Sequence, residues 1–397
     1  MTRTYEEAKA ALLESVTSGT PETVTLENAQ GRILAQSITA RFDIPEAAKC
    51  AIDGYTFAFD SIKEYPATLK IIGESRAGGA TPPAVGPKEA VFTMTGALVP
   101  QGADTAVRIE DVKVEGDTVT IFKAPKKGDL INPKGDEVTK GQEVLAPGTM
   151  LDAKTVALLA NLGYYQVRVY PKVRVGIVVT GDEVREPWEE RESAGVRNSN
   201  HYILRGLLAP YAEIRYYGIV QDEPERMIPL FDAALRENDL LLSSGGASKG
   251  KYDFTKTIAE ALGLTIHFTH TNIRPGRPLI FGTREGQRFL GLPGYPAALM
   301  VNALAFLLPS VRKMAGLNDY ENRTLTAIAE EPLRSKTGRI DFVRVRLHSE
   351  AGRLYAKSAG SQQTSNFLTL AQSDALAMID AEHGSAEAGD VVTVWPL

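Results

Sequence analysis

At 397 residues the chain is longer than one hydrophobic core usually serves, so several domains are expected. Its 43% hydrophobic and 23% charged residues match ordinary globular proteins, and the net charge of -5 argues against a general affinity for nucleic acid. A single cysteine, Cys50, excludes an internal disulfide framework and a multi-thiolate metal site, and suits a reducing compartment.

The opening stretch MTRTYEEAKAALLESV carries acidic residues early and lacks a signal peptide's apolar run. No stretch comes near the roughly 20 apolar residues of a membrane span. The expectation is a soluble, cytoplasmic protein with neither membrane nor nucleic-acid partner.

In chain order, Tyr5, Ala8, Ala11, Leu12 and Val16 fall at helical spacing over residues 4–16, and 27–35 reads as a second short helix ending at Leu34. From 66 to 149, short β-branched runs alternate with Gly, Pro and Asp turns, which predicts a compact β-rich unit. From 171 to 316 the rhythm becomes strand, loop, helix. The runs VRVGIVVT, EIRYYGIV, DLLLSS and LTIHF are unalternated, and helical stretches near 199–209, 224–237 and 254–262 separate them. Buried, mostly parallel strands with crossover helices give this pattern. After about 320 strand-sized segments return (TLTAIA, DFVRVRL, RLYAKS, ALAMID, VVTVWPL), as in a small barrel or sandwich.

In an open α/β sheet ligands bind beyond the carboxyl ends of the strands, so the loops after each run are the candidates. Thr180-Gly181-Asp182-Glu183 offers two carboxylates that suit a hard cation, or a turn cap in Asp182 alone. Gln221-Asp222-Glu223-Pro224 opens a helix: Pro224 fits the first position, and Glu223 or Asp222 is a cap candidate. Ser243 to Gly250, followed by Asp253, is rich in glycine. Backbone N–H groups of Gly245 and Gly246 with the side chains of Ser248 and Lys249 suit an anion, and Asp253 suits a metal held against oxyanions. The spacing is not that of a P-loop. Arg274-Pro-Gly-Arg277 is a candidate anion clamp or a solvated basic turn. Gly291-Leu-Pro293-Gly-Tyr295-Pro296 is a stiff turn that could present backbone to a ligand or merely end a strand. Asp53-Gly54-Tyr55 and Thr93-Met-Thr95-Gly-Ala97 are weak signals alone. The five histidines lack the spacing of a transition-metal site.

Together, and in this order, these motifs resemble the molybdopterin molybdenumtransferases over essentially the whole chain. The resemblance rests on Asp53-Gly54-Tyr55, Met94 to Ala97, Lys134-Gly135-Asp136, Thr180 to Glu183, Ser244-Gly245-Gly246 with Asp253, Pro275-Gly276, Gly291 to Gly294, and Gly338-Arg339 with Asp341, Phe342 and Arg344. It implies a homodimer of four-domain subunits: an N-terminal linker domain (1–47 and 139–170), an inserted β-rich domain (48–138), an α/β molybdopterin-binding domain (171–316) and a C-terminal small β-barrel (317–397).

It further implies insertion of molybdate or tungstate into adenylylated molybdopterin, assisted by Mg²⁺, with release of AMP. Asp53, Asp222 and Asp253 would be catalytic. Glu183, Asp222 and Asp253 would hold the metal, and Arg274, Arg277 and Lys249 would clamp the anions. Thr95, Gly245, Gly246, Ser248, Pro293, Tyr295 and Pro296 would complete the substrate site, with Asp53 and Thr95 reaching it from the partner subunit. The molybdopterin adenylyltransferase and acceptor molybdoenzymes or their chaperones would be partners. The alternative is a paralogue that carries the pterin or the finished cofactor without inserting metal. Several positions depart from the family pattern: Arg274 and Arg277 stand where lysines are usual, His270 replaces a lysine, and Lys249 replaces an apolar residue. Tyr295 and Ala298 replace Asn and Ser, and Cys50 replaces Ser.

Overall fold

The computed structural model describes residues 1–190, 195–245 and 254–397. Two compact units are present: Met1–Gln36 with Pro147–Val156 and Gln166–Leu397, and Ser37–Ala146 with Ala157–Tyr165.

In the first unit a seven-stranded sheet is built from β1 (Thr2–Arg3), β2 (Val173–Thr180), β3 (Ala212–Val220), β4 (Leu240–Ser244), β5 (Thr265–Thr271), β6 (Pro278–Arg284) and β7 (Gln287–Leu292), in the order β1-β5-β6-β7-β4-β2-β3. Neighbours are parallel except where β6 pairs with β5 and β7. The strands are apolar without alternation because both faces are covered. Val175, Ile177, Leu240, Leu242, Leu290 and Leu292 pack into one core. Their neighbours Val178, Leu241 and Phe289 point the other way into a second core.

The helices include α1 (Tyr5–Ser15), α2 (Asn200–Leu208), α3 (Pro224–Glu237), α4 (Phe254–Ala261) and α5 (Pro296–Met314), the last widened by a π turn at Ala303–Leu307. A capping box starts α1: the Glu7 N–H donates to Thr4 Oγ1 at 3.1 Å, and the Thr4 N–H to Glu7 Oε2 at 3.0 Å. Met227, Phe231, Ala234 and Leu235 form the buried stripe of α3.

Two sequence expectations are corrected. Residues 27–35 do not form a helix. A single 3₁₀ turn at Leu26–Asn28 is followed by Gly31 at φ 75°, then by the strand Ile33–Leu34, which pairs with Val169 and Tyr170. Burial of both Ile33 and Leu34 at a sheet edge outweighs the local helical spacing. Further, α5 is 19 residues long and apolar enough to cross a membrane by length and composition, although 83% of its apolar window is buried within the protein. It is the central core helix.

The C-terminal segments are β8 (Leu325–Ala329), β9 (Ile340–Glu350), β10 (Arg353–Ser358), β11 (Ala375–Ile379) and β12 (Val391–Pro396). They pair β9-β10-β8-β12-β11, and β11 returns to β9, closing a five-stranded barrel. The short strand Ile273–Arg274 runs parallel to β9 on its outside, with Ile273 opposite Ile340 and Arg274 opposite Asp341. Arg344, 2% exposed, donates to the carbonyls of Ser361, Gln363 and Asn366 at 3.0–3.1 Å and so ties down the 361–366 loop.

In the second unit a six-stranded sheet is ordered Val112–Glu115, Thr118–Ile121, Ala67–Ser75, Glu89–Thr93, Gly54–Phe57, Thr105–Arg108. Its core is Tyr55, Phe57, Leu69, Ala90, Val107, Val119 and Ile121.

Candidate functional site

Because β2, β3, β4 and β7 run parallel, their following loops emerge at one end of the sheet. The backbone shows how closely they meet. Gly245 has φ 106°, and a Cβ there would lie 2.3 Å from the Thr180 carbonyl oxygen, so the loop after β4 presses on the end of β2. Only glycine permits both the angle and the approach. The Gly245 N–H donates to the Leu292 carbonyl at 3.2 Å, and a Cβ on Gly294 would lie 3.6 Å from Gly245 Cα. Three loops therefore converge on Gly245.

The fourth loop joins through acids. The Asp222 N–H donates to Asp182 Oδ1 at 3.1 Å. Asp222 keeps solvent contact as a residue, yet its carboxyl is pushed above the ordinary carboxylate range, first by partial desolvation and then by the charges of Asp182 and Glu183. Asp182 is thus more than a turn cap. Glu223 takes the N-cap position of α3 and Pro224 the first helical position, with no side-chain cap bond.

The Pro275-Gly276 turn is held against α5. Asn302, fully buried, donates through Nδ2 to the Gly276 and Ala298 carbonyls at 2.9 and 3.1 Å. Arg274 and Arg277 are both exposed. Arg274 Nη1 stands 3.8 Å from Asp341, whose carboxylate also accepts from Arg339 Nε at 2.7 Å, so one cation of the clamp shares an anion of its own. Pro293 is buried, Tyr295 is 60% exposed at the N-cap of α5, and Pro296 is its first residue.

In the second unit two distant motifs meet. Asp53 Oδ1 accepts from the Thr95 N–H at 2.7 Å and from Thr95 Oγ1 at 2.9 Å, which holds its carboxyl below the usual range. A Cβ on Gly54 would collide with the Val107 carbonyl at 1.9 Å, so this glycine allows the strands to close.

Gly246, Ser248, Lys249 and Asp253 lie outside the described residues. Among the described residues no three His, Cys, Asp or Glu side chains form a ready metal site.

Comparison with known proteins decides the family. The profile of the MoeA N-terminal region (domain I and II) matches residues 3–163, a probable molybdopterin binding domain matches 176–313, and the MoeA C-terminal region (domain IV) matches 326–397. A molybdopterin molybdenumtransferase of Haemophilus influenzae is 32% identical, covering 99% of this chain and 98% of its own length. Another, from a Nostoc species, is 34% identical over 95% and 88%. The crystal structure of the molybdopterin biosynthesis MoeA protein of Pyrococcus horikoshii superposes with a TM-score of 0.86 at 28% identity, covering all of both chains.

The chain belongs to the molybdopterin molybdenumtransferase family.

Members of this family are transferases, and the converging loops of the first unit lie within the segment matching the molybdopterin binding domain. Sequence reasoning missed the polar residues that hold those loops in this family member. Asn200 donates through Nδ2 to Ser244 Oγ at 2.7 Å and to the Gly294 carbonyl at 2.8 Å. Asn198 donates to Tyr216 Oη at 2.8 Å, and Tyr216 in turn donates to the buried Glu186. The Asn198-Ser199-Asn200 run at a helix start is an available signal, but it suggests capping. Ser199, at the N-cap, makes no side-chain cap bond. Asn198 Oδ1 accepts from the His201 N–H at 3.2 Å, while the amide nitrogens of Asn198 and Asn200 turn inward.

Proposed function

We propose that this chain inserts molybdate, or tungstate, into adenylylated molybdopterin. Two metal–sulfur bonds form as one oxyanion oxygen leaves as water with the two dithiol protons, and a second water cleaves the phosphoanhydride to give AMP and the terminal phosphate of the cofactor. The carrying observation is the convergence of four post-strand loops, with the charge of Asp222 disfavoured by partial desolvation and then by its neighbours Asp182 and Glu183. A phosphate-bearing substrate and an oxyanion need donors that close on oxygen together with acids that accept a cation.

The acids fit Mg²⁺. All their donors are oxygens, and a carboxyl whose charge is disfavoured by its neighbours gains from a cation between them. Glu183 and Asp222, with Asp253, would hold it. When bound, it would supply charge that polarises the phosphoryl group and stabilises the leaving phosphate. The Gly245 loop with Gly246, Ser248 and Lys249 would bind phosphate oxygens, while Arg274 and Arg277 steer and hold the anions. Pro293, Tyr295 and Pro296 would shape the wall beside the pterin.

The working form would be a cytoplasmic homodimer in which Asp53 and Thr95 of one subunit act on substrate held by the other. The domain limits given from sequence stand as part of this reading, as do the adenylyltransferase and acceptor molybdoenzymes as partners. The test is molybdate-dependent release of AMP from adenylylated molybdopterin. Turnover that needs Mg²⁺ and disappears in Asp222→Ala and Asp253→Ala supports the reading, whereas pterin binding without AMP release by the wild type would sink it.

A further inference from the structure

Within the site just read as the insertion centre, we propose that Asn200 is a positioning residue that sets the gap between the loop after β4 and the Gly291–Gly294 turn after β7. It acts through Ser244 and Gly294. Both amide hydrogens are committed, one to Ser244 Oγ at 2.7 Å and one to the Gly294 carbonyl at 2.8 Å, so a single group bridges two loops from a third element. The loops themselves meet directly through a backbone bond, the Gly245 N–H to the Leu292 carbonyl at 3.2 Å, at the strand ends. Gly245 and Gly294 face each other without side chains, and a Cβ on one would already stand within 3.6 Å of the other's Cα.

Asn200 is 8% exposed, and its Oδ1 has no partner among the described residues. A buried unpaired acceptor is costly, so the amide is not explained by its own burial. It is delivered from a firm base. Asn198 donates to Tyr216 Oη at 2.8 Å and accepts from the His201 N–H at 3.2 Å, and the His201 ring stacks on Tyr216 with centroids 4.0 Å apart. The first turn of α2 is thereby locked to β3 while Asn200 reaches across to β4 and β7.

Asn200→Asp keeps the shape and exchanges the donors for oxygens, so the Gly294 carbonyl meets a carboxylate. The expected result is a fall in kcat of roughly 10- to 100-fold with KM for adenylylated molybdopterin little changed, the pattern of lost positioning rather than lost binding. Activity should partly recover as pH is lowered and the introduced acid gains a proton to donate, a response the wild type lacks. Asn200→Ser, which keeps one donor, should fall between the two, and thermal unfolding checks that each variant is folded.

A second readout does not depend on turnover. Amide hydrogen exchange at Ser244–Gly245 and at Gly294–Tyr295 should accelerate together in the metal-free variants, while exchange in α3 stays as in the wild type. Wild type that releases no AMP would defeat the functional reading and leave the exchange result to decide the role of Asn200. Unchanged exchange at both segments, or unchanged kcat in folded Asn200→Asp, overturns the proposal.

Discussion

The Asp222 N–H donates to the Asp182 carboxylate at 3.1 Å, so the loop after β3 is anchored to the loop after β2 by an acid that then faces a second acid. The bond brings like charges together instead of separating them. In the proposed reading, such an arrangement would suit a cation, and its repulsion would cost stability while no cation is bound.

The sign of that effect can be measured. The folded-state pKa of Asp222 is raised, so its carboxyl contributes stability at acid pH that is lost as pH climbs through the raised value. At neutral pH the ionised Asp222 opposes folding. Asp222→Asn should therefore raise the melting temperature of the metal-free protein at pH 7 by a few degrees, with the difference shrinking toward acid pH. The same variant should lose the rise in melting temperature that Mg²⁺ binding, as proposed, would give the wild type. A melting temperature lowered at pH 7, or an unaltered Mg²⁺ response, contradicts the electrostatic account.

Gly245→Ala tests the loop junction. The substitution needs φ 106° from an alanine and places a methyl 2.3 Å from the Thr180 carbonyl oxygen, so the loop must move off β2. A loss of about 2–4 kcal/mol in urea unfolding is expected, together with loss of turnover. Alanine accepted with full stability would mean that the loop does not press on Thr180.

Arg344→Met should cost about 1–3 kcal/mol, because the carbonyls of Ser361, Gln363 and Asn366 lose the donor that ties their loop to β9. Proteolysis within residues 361–366 should become faster, and intact resistance to protease would count against this role.

If Asp53 acts on substrate held by the other subunit, mixing two inactive variants restores function. Refolded equimolar Asp53→Asn and Asp222→Asn chains would place one intact site in each mixed dimer, giving about a quarter of wild-type turnover by random pairing. No recovery in a confirmed mixed dimer would return Asp53 to the site of its own chain.

Cys50, buried and with its thiol pushed up by desolvation, should resist alkylation in the native protein at neutral pH and react only on unfolding. Rapid labelling of the folded chain would show the second unit to be open there.

The α/β rhythm was readable because strands covered on both faces give apolar runs that few other structures produce, as in Val173–Thr180 and Leu240–Ser244. Gly245 and Asp222 were candidates because they sit in loops directly after such runs, although helix capping explained Asp222 equally well. Asn200 and Asn302 were not, and Arg344 entered only as part of the Gly338–Arg344 motif, without a role. An asparagine at a helix start suggests a cap, one within an apolar helix suggests nothing, and an arginine in a strand suggests the surface. Their roles depend on partners tens of residues or more away, which spacing cannot reveal. The false helix at 27–35 failed for the same reason: Ile33 and Leu34 answer to Val169 and Tyr170, far along the chain.

The parallel pairing of Ile273–Arg274 with β9 makes the basic turn a joint product of two parts of the chain that are separate in sequence. Arg274 is braced by Asp341, and Ile340 donates its N–H to the Asn272 carbonyl at 3.0 Å, so the barrel supplies both the splint and the counter-charge. A chain cut before residue 320 would keep every loop of the sheet yet release this turn from its brace. If Arg274 and Arg277 clamp anions as proposed, exchanging the barrel between relatives would retune that grip without changing either arginine.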